Sequence, residues 1–252
     1  MSENILEKII RKKIEKINIL KKSISIDSLK DKINENKSFI NFKEKIENNI
    51  NSNKISIIAE IKKASPSAGI IIEDYNPINI SEIYNNNNAT CLSVLTEEDF
   101  FLGNLIHISK IKQKVNLPIL CKDFFIDKFQ VPLARSYGAD AILIILAGVS
   151  DELAHDLYEE ALKFDMSIIV EVHTVEEAKK ALNYKDALIL NDGGKLVKEF
   201  PRIPGIDFAG KVLESSVSEF KKDDEVILTG CRVGEISHGG YSQIAKVKKE
   251  FL

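Results

Sequence analysis

The residues in this sequence best suited to chemistry are charged side chains that end short apolar runs. They are Glu60, Lys62, Lys122, Glu171 and Glu214. A lysine held among carboxylates keeps its proton and can act as a general acid, although burial opposes its charge. A carboxylate across the same cavity can act as a base, and each well-placed proton transfer is worth roughly 10²–10⁴ in rate. These residue types therefore predict acid–base chemistry if the fold brings them together.

The apolar runs have the length and composition of buried strands. Eight occur in series, at residues 55–61, 89–95, 117–122, 139–145, 167–172, 186–190, 211–215 and 225–229. Segments with helical spacing, such as residues 151–164, separate most of them. This alternation indicates an α/β fold with a parallel sheet covered on both faces, and eight strands in one series favour a (β/α)₈ TIM barrel. The lack of a G-x-G-x-x-G motif after the first run weakens the dinucleotide-binding alternative.

A barrel would give the charged residues a common location. The carboxyl ends of the strands form the face on which such barrels assemble their sites. All five charges follow odd-numbered runs, which contribute side chains to the same layers inside a barrel. One such charge alone is more simply explained as a solvated strand end, whereas five together favour a shared cavity.

We predict one barrel domain over residues 1–252, with an N-terminal helical extension over residues 1–50. Apolar residues recur at three- and four-residue intervals in this extension. Only about ten residues separate the seventh and eighth runs, which leaves little room for a crossover helix. The barrel is therefore expected to be irregular around strands 6–8.

Composition excludes several function classes. Apolar residues make up 44% of the chain, charged residues 29%, and the formal net charge is -3, which argues against a nucleic-acid binder. The three cysteines form no C-x-x-C pair and suggest neither a disulfide framework nor a zinc site. No apolar run approaches the ~20 residues that span a bilayer. We expect a cytoplasmic protein that does not bind membranes.

Five stretches carry a more specific pattern. In chain order they are IIAEIKKASPSAG (57–69), SVLTEEDFFLG (93–103), LPILCKDFFID (117–127), GADAILII (138–145) and IVEVHTVEEAKKAL (169–182). Their order and spacing, over roughly Phe42 to Leu182, resemble those of the indole-3-glycerol phosphate synthase family. The A-E-x-K-x-x-S-P-S and L-P-x-L-x-K-D-F motifs together are specific. The helical extension is also similar to that of the family.

The resemblance implies a carboxy-lyase of tryptophan biosynthesis. The substrate would be the small phosphorylated molecule 1-(2-carboxyphenylamino)-1-deoxyribulose 5-phosphate. Ring closure with loss of CO₂ and water would give indole-3-glycerol phosphate. The resemblance implies no metal and no organic cofactor, and we expect a monomer or a weak homo-oligomer.

Motif positions also imply roles for individual residues. Lys122 would be the general acid of ring closure, and Glu171 and Lys62 would handle the protons of the later dehydration, in an order left open. Glu60 would orient and charge-balance the lysines, and Lys62 would also contact the phosphate. The other implied substrate contacts are Ser65 to the carboxylate, Phe101 and Phe124 to the anthranilate ring (with ordinary core packing as the alternative), Glu214 to the sugar hydroxyls, and Asn191, Ser215 and Gly230.

The match weakens in the last third of the chain. The family's I-N-x-R-D-L motif is replaced by LILNDGGKL (188–196), so Asn191 or Asp192 takes the asparagine position and the arginine that binds phosphate is missing. The glycine of E-S-G-I is replaced by Ser216. Arg232, in TGCRVGE, is a candidate to replace the lost arginine beside backbone N–H groups that bind phosphate. These departures predict weaker substrate binding more than lost chemistry.

Two alternatives stay open from the sequence. Another phosphate-binding barrel, such as a phosphoribosylanthranilate isomerase, would not account for the lysine-rich motifs. A degenerate, non-catalytic barrel that serves as a binding or scaffold subunit is favoured by the altered phosphate motifs. It is opposed by the intact Glu60, Lys62, Lys122 and Glu171.

Overall fold

The computed structural model describes residues 4–36, 39–178, 180–181, 208–228 and 243–249. The chain divides into two compact units, Met1–Glu171 and Val172–Leu252. The first contains a parallel sheet and the second contains a pair of antiparallel strands. A single domain over residues 1–252 stays a prediction.

Three helices precede the first strand, where the sequence predicts a helical extension. They are α1 (Ile5–Ser23), α2 (Ile26–Glu35) and α3 (Phe42–Asn51). The side chains of Asn4, Ser25 and Asn41 cap their N-termini by accepting hydrogen bonds from free backbone N–H groups. No helix in the described parts of the chain is long and apolar enough to cross a membrane.

Strands and helices then alternate along the first unit. They are β1 (Ile58–Ile61), β2 (Ala64–Ser65), β3 (Gly69–Ile70), α4 (Pro77–Asn86), β4 (Cys91–Leu95), α5 (Ile106–Lys112), β5 (Ile119–Lys122), α6 (Gln130–Ser136), β6 (Ala141–Ile145), a 3₁₀ turn (Leu146–Gly148), α7 (Asp151–Lys163) and β7 (Ser167–Glu171). Each strand of four or five residues is one of the first five apolar runs of the sequence.

The five longer strands form one parallel sheet in the order β1-β4-β5-β6-β7. This order repeats the order along the chain, so each crossover joins neighbouring strands. Every residue of β4 is buried, which explains why that run is apolar throughout. The predicted parallel βα arrangement is confirmed for these five strands.

The two faces of the sheet have different cores. On one face, Phe42 at the start of α3 packs with Cys91, Leu120 and Leu143 from three successive strands. We call this group the inner cluster. The opposite face packs against the helices that follow the strands in a larger buried cluster. Because side chains alternate along a strand, residues two apart share a face of the sheet. A charged residue two positions after a member of the inner cluster, such as Lys122 after Leu120, therefore lies on the same face.

The second unit departs from the barrel prediction. β8 (Phe208–Lys211) and β9 (Glu225–Leu228) pair antiparallel, with Lys211 opposite Glu225. The sequence predicts parallel strands at residues 211–215 and 225–229, and this prediction is wrong. The short connection is the physical reason, because an antiparallel pair needs no crossover whereas a parallel pair does. The sixth predicted strand, at residues 186–190, lies outside the described residues.

Candidate active site

The centre of the site is the carboxylate of Glu60, which lies between two lysine side chains. Lys62 Nζ is 2.6 Å from Oε1 of Glu60, and Lys122 Nζ is 2.7 Å from Oε2. Glu60 comes from β1 and Lys122 from the last position of β5, with β4 between them in the sheet. The Tyr84 hydroxyl of α4 donates a hydrogen bond to the backbone oxygen of Glu60 at 3.2 Å. The fold thus brings together three residues predicted from their types alone.

Glu60 stays ionised in this position. Burial would raise the pKa of its half-buried carboxyl, but the hydrogen bonds and positive charges of Lys122 and Lys62 outweigh burial. Together they hold the pKa below its ordinary value of 4.5. The side chains of Lys62 and Lys122 remain 32% and 33% exposed, so both lysines are in contact with solvent.

Glu171 ends β7 at the same edge of the sheet as Lys122, because the strands are parallel. Leu120 belongs to the inner cluster and Ile169 packs against it. Lys122 and Glu171 follow these residues by two positions, so they lie on the same face of the sheet. The predicted acid and the predicted base therefore share one face at one edge.

The loop after β1 folds back as a tight hairpin that contains Ser65. Ser65 of β2 lies opposite Gly69 of β3, and its hydroxyl oxygen accepts a hydrogen bond from the Ala68 N–H at 3.2 Å. Gly69 has φ +66°, which suits a residue without a Cβ atom. This turn leaves Ser65 partly exposed, as a substrate contact requires.

Phe101 and Phe124 form an aromatic pair in the loops after β4 and β5. Their ring centroids are 6.1 Å apart, within the usual range for interacting aromatic side chains, and the planes are tilted by 41°. Both rings are partly exposed rather than fully buried. This exposure favours the predicted role as walls of a cavity over ordinary core packing.

The loop that carries Phe101 is organised by Glu97, which sequence reasoning missed. The Glu97 side chain is buried and accepts hydrogen bonds from the backbone N–H groups of Asp99, Phe100 and Phe101 at 2.7–3.1 Å. The Gly103 N–H donates to the Glu97 carbonyl at 2.7 Å and closes the loop. The buried carboxylate thus fixes the backbone that holds Phe101.

Asp123 and Lys13 are a second pair that sequence reasoning missed. Asp123 follows Lys122 directly; its Oδ1 is 2.6 Å from Lys13 Nζ, and its Oδ2 accepts a hydrogen bond from Thr96 at 2.7 Å. Lys13 is buried on α1 in line with Ile9 and Ile17. A lysine in the middle of an apolar helical stripe is the sequence signal that could have found this pair.

Four other predicted contacts lie outside the first unit. Asn191 and Gly230 fall outside the described residues. Glu214 and Ser215 belong to the second unit, in an exposed segment after β8. The prediction that Glu214 ends a parallel strand is wrong, because β8 ends at Lys211 and pairs antiparallel with β9.

Metal-binding and nucleophilic side chains are not clustered in the described residues. There, no group of three or more His, Cys, Asp or Glu side chains is placed to hold a metal ion. Cys91 and Cys121 are free and buried within strands. Burial raises the pKa of each thiol to about 12, which keeps both protonated at neutral pH and removes them as nucleophiles.

Comparison with known families divides the chain in a similar place to the structure. Residues 168–252 match the sequence model described as "Alcohol dehydrogenase GroES-like domain". Residues 6–191 match the model described as "Indole-3-glycerol phosphate synthase". The first match contains both antiparallel strands. The second contains the whole parallel sheet together with Glu60, Lys62 and Lys122.

Several curated proteins are similar to the part of the chain that contains the site. "Indole-3-glycerol phosphate synthase" of Aliarcobacter butzleri is 42% identical over 73% of this chain and 70% of its own length. The protein of the same name from Clostridium acetobutylicum is 45% identical over 70% of this chain and 66% of its own length. The protein of the same name from Trichodesmium erythraeum is 35% identical over 79% of this chain and 66% of its own length. This chain therefore spans about two thirds of its relatives' length.

The family match covers the residues from which the site is built. It includes the five parallel strands and the charged residues at their carboxyl ends. The (β/α)₈ barrel class of fold is that of the matched family. By the extent of this match and the identity to its relatives, the chain belongs to the indole-3-glycerol phosphate synthase family.

Proposed function

We propose that this chain catalyses the indole-3-glycerol phosphate synthase reaction. In it, 1-(2-carboxyphenylamino)-1-deoxyribulose 5-phosphate closes to an indole with loss of CO₂ and water. The observation that carries the proposal is the carboxylate of Glu60, hydrogen-bonded to Lys62 at 2.6 Å and to Lys122 at 2.7 Å. This arrangement holds two proton-bearing amines at one reachable place beside a carboxylate that stays ionised.

The chain's own side chains divide the proton transfers among them. Lys122, at the carboxyl end of β5, donates a proton to the sugar oxygen as the ring closes. In the dehydration, one of Lys62 and Glu171 removes a proton from the substrate and the other donates a proton to the leaving hydroxyl. Glu60 keeps both amines in place throughout, because its pKa lies below the ordinary value and the carboxylate is charged at neutral pH.

The substrate's ring and carboxylate would be held by loops of the first unit. Phe101 and Phe124, with ring centroids 6.1 Å apart, form the walls for the anthranilate ring. Ser65 contacts the carboxylate from the hairpin after β1. The reaction needs no metal or organic cofactor in this proposal. The protein acts in the cytoplasm as a monomer or weak homo-oligomer, without nucleic-acid or membrane partners.

The phosphate end of the substrate has fewer candidate ligands in this chain than the motifs of the family provide. Asn191 is kept as a contact, because the family match extends to that residue. We leave Glu214, Ser215 and Gly230 out of the proposed site. They lie beyond that match and within the residues that match the GroES-like domain. Lys62 then carries more of the phosphate binding, and we expect a higher KM than in a protein whose whole length matches the family.

We further infer that the second unit belongs to a different fold from the barrel, in place of the single barrel domain predicted over residues 1–252. Two observations support this: the antiparallel pairing of β8 with β9, and the match of residues 168–252 to the GroES-like domain. Backbone hydrogen bonds between Val212 and residues Asp223 and Asp224 extend the antiparallel pairing beyond Lys211. Parallel barrel strands do not pair in this way.

The test is the appearance of the indole product. Purified chain is mixed with the substrate, and indole absorbance or fluorescence is followed over time. We expect product from the wild type and a loss of roughly 10²–10⁴ in kcat for Lys122→Ala, because a positioned general acid contributes about that much. Lys43→Ala is the matched control, since Lys43 lies exposed on α3, where its ammonium group is 3.4 Å from the exposed side chain of Glu47. Binding of substrate without product by the wild type would refute the proposal.

A further inference from the structure

We propose that Lys13 of α1 is a positioning residue for the Lys122 side chain. It acts through a buried ion pair with Asp123, which lies on the opposite side of the backbone from Lys122. The ion pair lies outside the cluster around Glu60, and no proposed chemical step uses it. The inference rests on the proposed function for its kinetic test only.

Both partners of the ion pair are buried. The side chains of Lys13 and Asp123 are 8% and 7% exposed, and Nζ lies 2.6 Å from Oδ1. The other ion pairs described for α1 are more exposed: Arg11 with Glu15, for example, has side chains 57% and 64% exposed at 3.8 Å. Removal or displacement of one partner leaves an uncompensated buried charge, so a buried ion pair resists separation.

Asp123 is fixed by more than Lys13. Its Oδ2 accepts a hydrogen bond from the Thr96 hydroxyl at 2.7 Å, and its Oδ1 accepts one from the Phe124 N–H at 2.7 Å. Thr96 directly follows β4, and its N–H donates to the Lys122 carbonyl at 3.1 Å. One carboxylate therefore ties α1, the end of β4 and the end of β5 together.

Alternation along the strand links this carboxylate to the site. Adjacent residues of an extended chain point to opposite sides. Asp123 contacts α1, whereas Lys122 contacts Glu60 on the other side of the same backbone. Movement of the Asp123 backbone must therefore move the base of the Lys122 side chain and the start of the loop that carries Phe124.

The space beside the ion pair suggests an informative variant. A cavity of about 60 Å³ is lined by Lys13, Thr96, Asp123 and Gln130, among others. This volume can accept the extra atoms of an arginine at position 13. Lys13→Arg keeps the positive charge opposite Asp123, whereas Lys13→Met keeps the length of the side chain and removes the charge.

The first experiment does not need turnover. Lysines of the full-length chain are acetylated competitively with acetic anhydride at several pH values, and the rate at Lys122 is read from peptide masses relative to the exposed Lys163. We expect Lys122 to react severalfold faster in Lys13→Met, because its hydrogen bond with Glu60 loosens. Lys13→Arg should restore the slow rate. Arg11→Met, which removes a charge from the exposed side of the same helix, should not change it.

The second experiment measures kcat and KM separately. We expect kcat of Lys13→Met to fall by roughly 10²-fold, as a displaced catalytic group causes, with a much smaller change in KM. Asp123→Asn is the second variant if Lys13→Met fails to fold, because it keeps the side-chain shape and the acceptor for Thr96. An unchanged Lys122 rate in a folded variant would overturn the positioning role. A wild type without turnover would refute the proposed function alone, since the labelling result stands without it.

Discussion

At the scale of single residues, the site depends on one carboxylate that two amines share. Glu60 bonds Lys62 and Lys122 through different oxygens, so neither amine displaces the other. Removing either lysine leaves the other contact in place, whereas removing Glu60 releases both. Lys62 and Lys122 would then repel one another across the gap that Glu60 had filled.

The shared carboxylate predicts that Glu60→Gln changes both activity and acid stability. We expect kcat to fall by at least tenfold, because a neutral amide holds two ammonium groups less strongly than a carboxylate does. The folded-state pKa of Glu60 is lower than its unfolded value, so its stabilising contribution is present above pH 4.5 and is lost as the pH falls through the folded-state pKa.

Urea unfolding at several pH values checks the second part. The free energy of unfolding of the wild type should fall more steeply below pH 4.5 than that of Glu60→Gln. Glu47→Gln, which alters an exposed ion pair with Lys43, is the matched control and should follow the wild type. If the free energies of unfolding of the wild type and Glu60→Gln fell equally steeply below pH 4.5, the two lysines would not be holding Glu60 ionised.

The residues of the site differ in how far the sequence could predict them. Glu60, Lys62, Lys122 and Glu171 were predictable, because each interrupts or ends an apolar strand and parallel strands bring their carboxyl ends to one edge. Asp123 was recognisable only through its partner Lys13, which interrupts the apolar stripe of α1. Glu97 gave no signal, because its role depends on hydrogen bonds to the backbone of a loop, and the shape of a loop is not encoded by a repeating pattern.

At the scale of elements, the loop after β4 is as constrained as the strands. It begins with Thr96 and Glu97, both buried, and it returns to the sheet at Gly103. A Cβ atom at Gly103 would lie 2.3 Å from the carbonyl oxygen of Leu95. Backbone atoms cannot move aside as a flexible side chain can, so only glycine fits at this close approach.

Gly103→Ala should therefore displace the loop and the Phe101 ring with it. We expect the free energy of unfolding to fall by about 1–3 kcal/mol, the usual cost of overpacking, and KM to rise because one wall of the ring pocket moves. Denaturant unfolding and steady-state kinetics measure the two effects.

Gly210→Ala is the matched control for this change. An added Cβ at Gly210 meets nothing within 4 Å, and its φ is not in the left-handed region, so stability and KM should both stay near the wild-type values. A Gly103→Ala variant as stable as Gly210→Ala would show that the loop yields easily.

The elements of the first unit followed from periodicity, whereas those of the second did not. Apolar runs of six or seven residues, mostly separated by helical segments, correctly predicted β1, β4, β5, β6 and β7. For the runs at residues 211–215 and 225–229, the predicted parallel pairing was wrong. An apolar run indicates that a strand is buried, but not whether it pairs parallel or antiparallel with its neighbour. The connection of about ten residues was the better guide.

At the scale of the whole molecule, the chain combines a barrel-family segment with a segment that matches another family. The two matches overlap at residues 168–191, and the strands of the two segments follow different pairing rules. The acid–base residues lie in the first segment. The phosphate ligands implied by the resemblance lie mainly at or beyond residue 191, so chemistry and phosphate binding should respond separately to a change in the second segment.

A chimera tests this separation. Residues 182–252 are replaced by the C-terminal part of the Aliarcobacter butzleri relative, with the first segment of this chain kept unchanged. We expect KM to fall by roughly tenfold or more, because each restored charge-assisted hydrogen bond to the phosphate contributes about 1.5–3 kcal/mol and ~1.4 kcal/mol is a factor of ten. The kcat value should change much less, since Lys62, Lys122 and Glu171 stay the same.

Two further measurements make the chimera decisive. Lys122→Ala within the chimera should lower kcat by roughly 10²–10⁴, as in the natural chain, which assigns the chemistry to the first segment. Inorganic phosphate should inhibit the chimera at lower concentration than it inhibits the natural chain, because free phosphate competes for the same ligands. Equal KM values and equal inhibition for the two proteins would mean that residues 182–252 of the natural chain already bind the substrate phosphate as well as the relative's segment does.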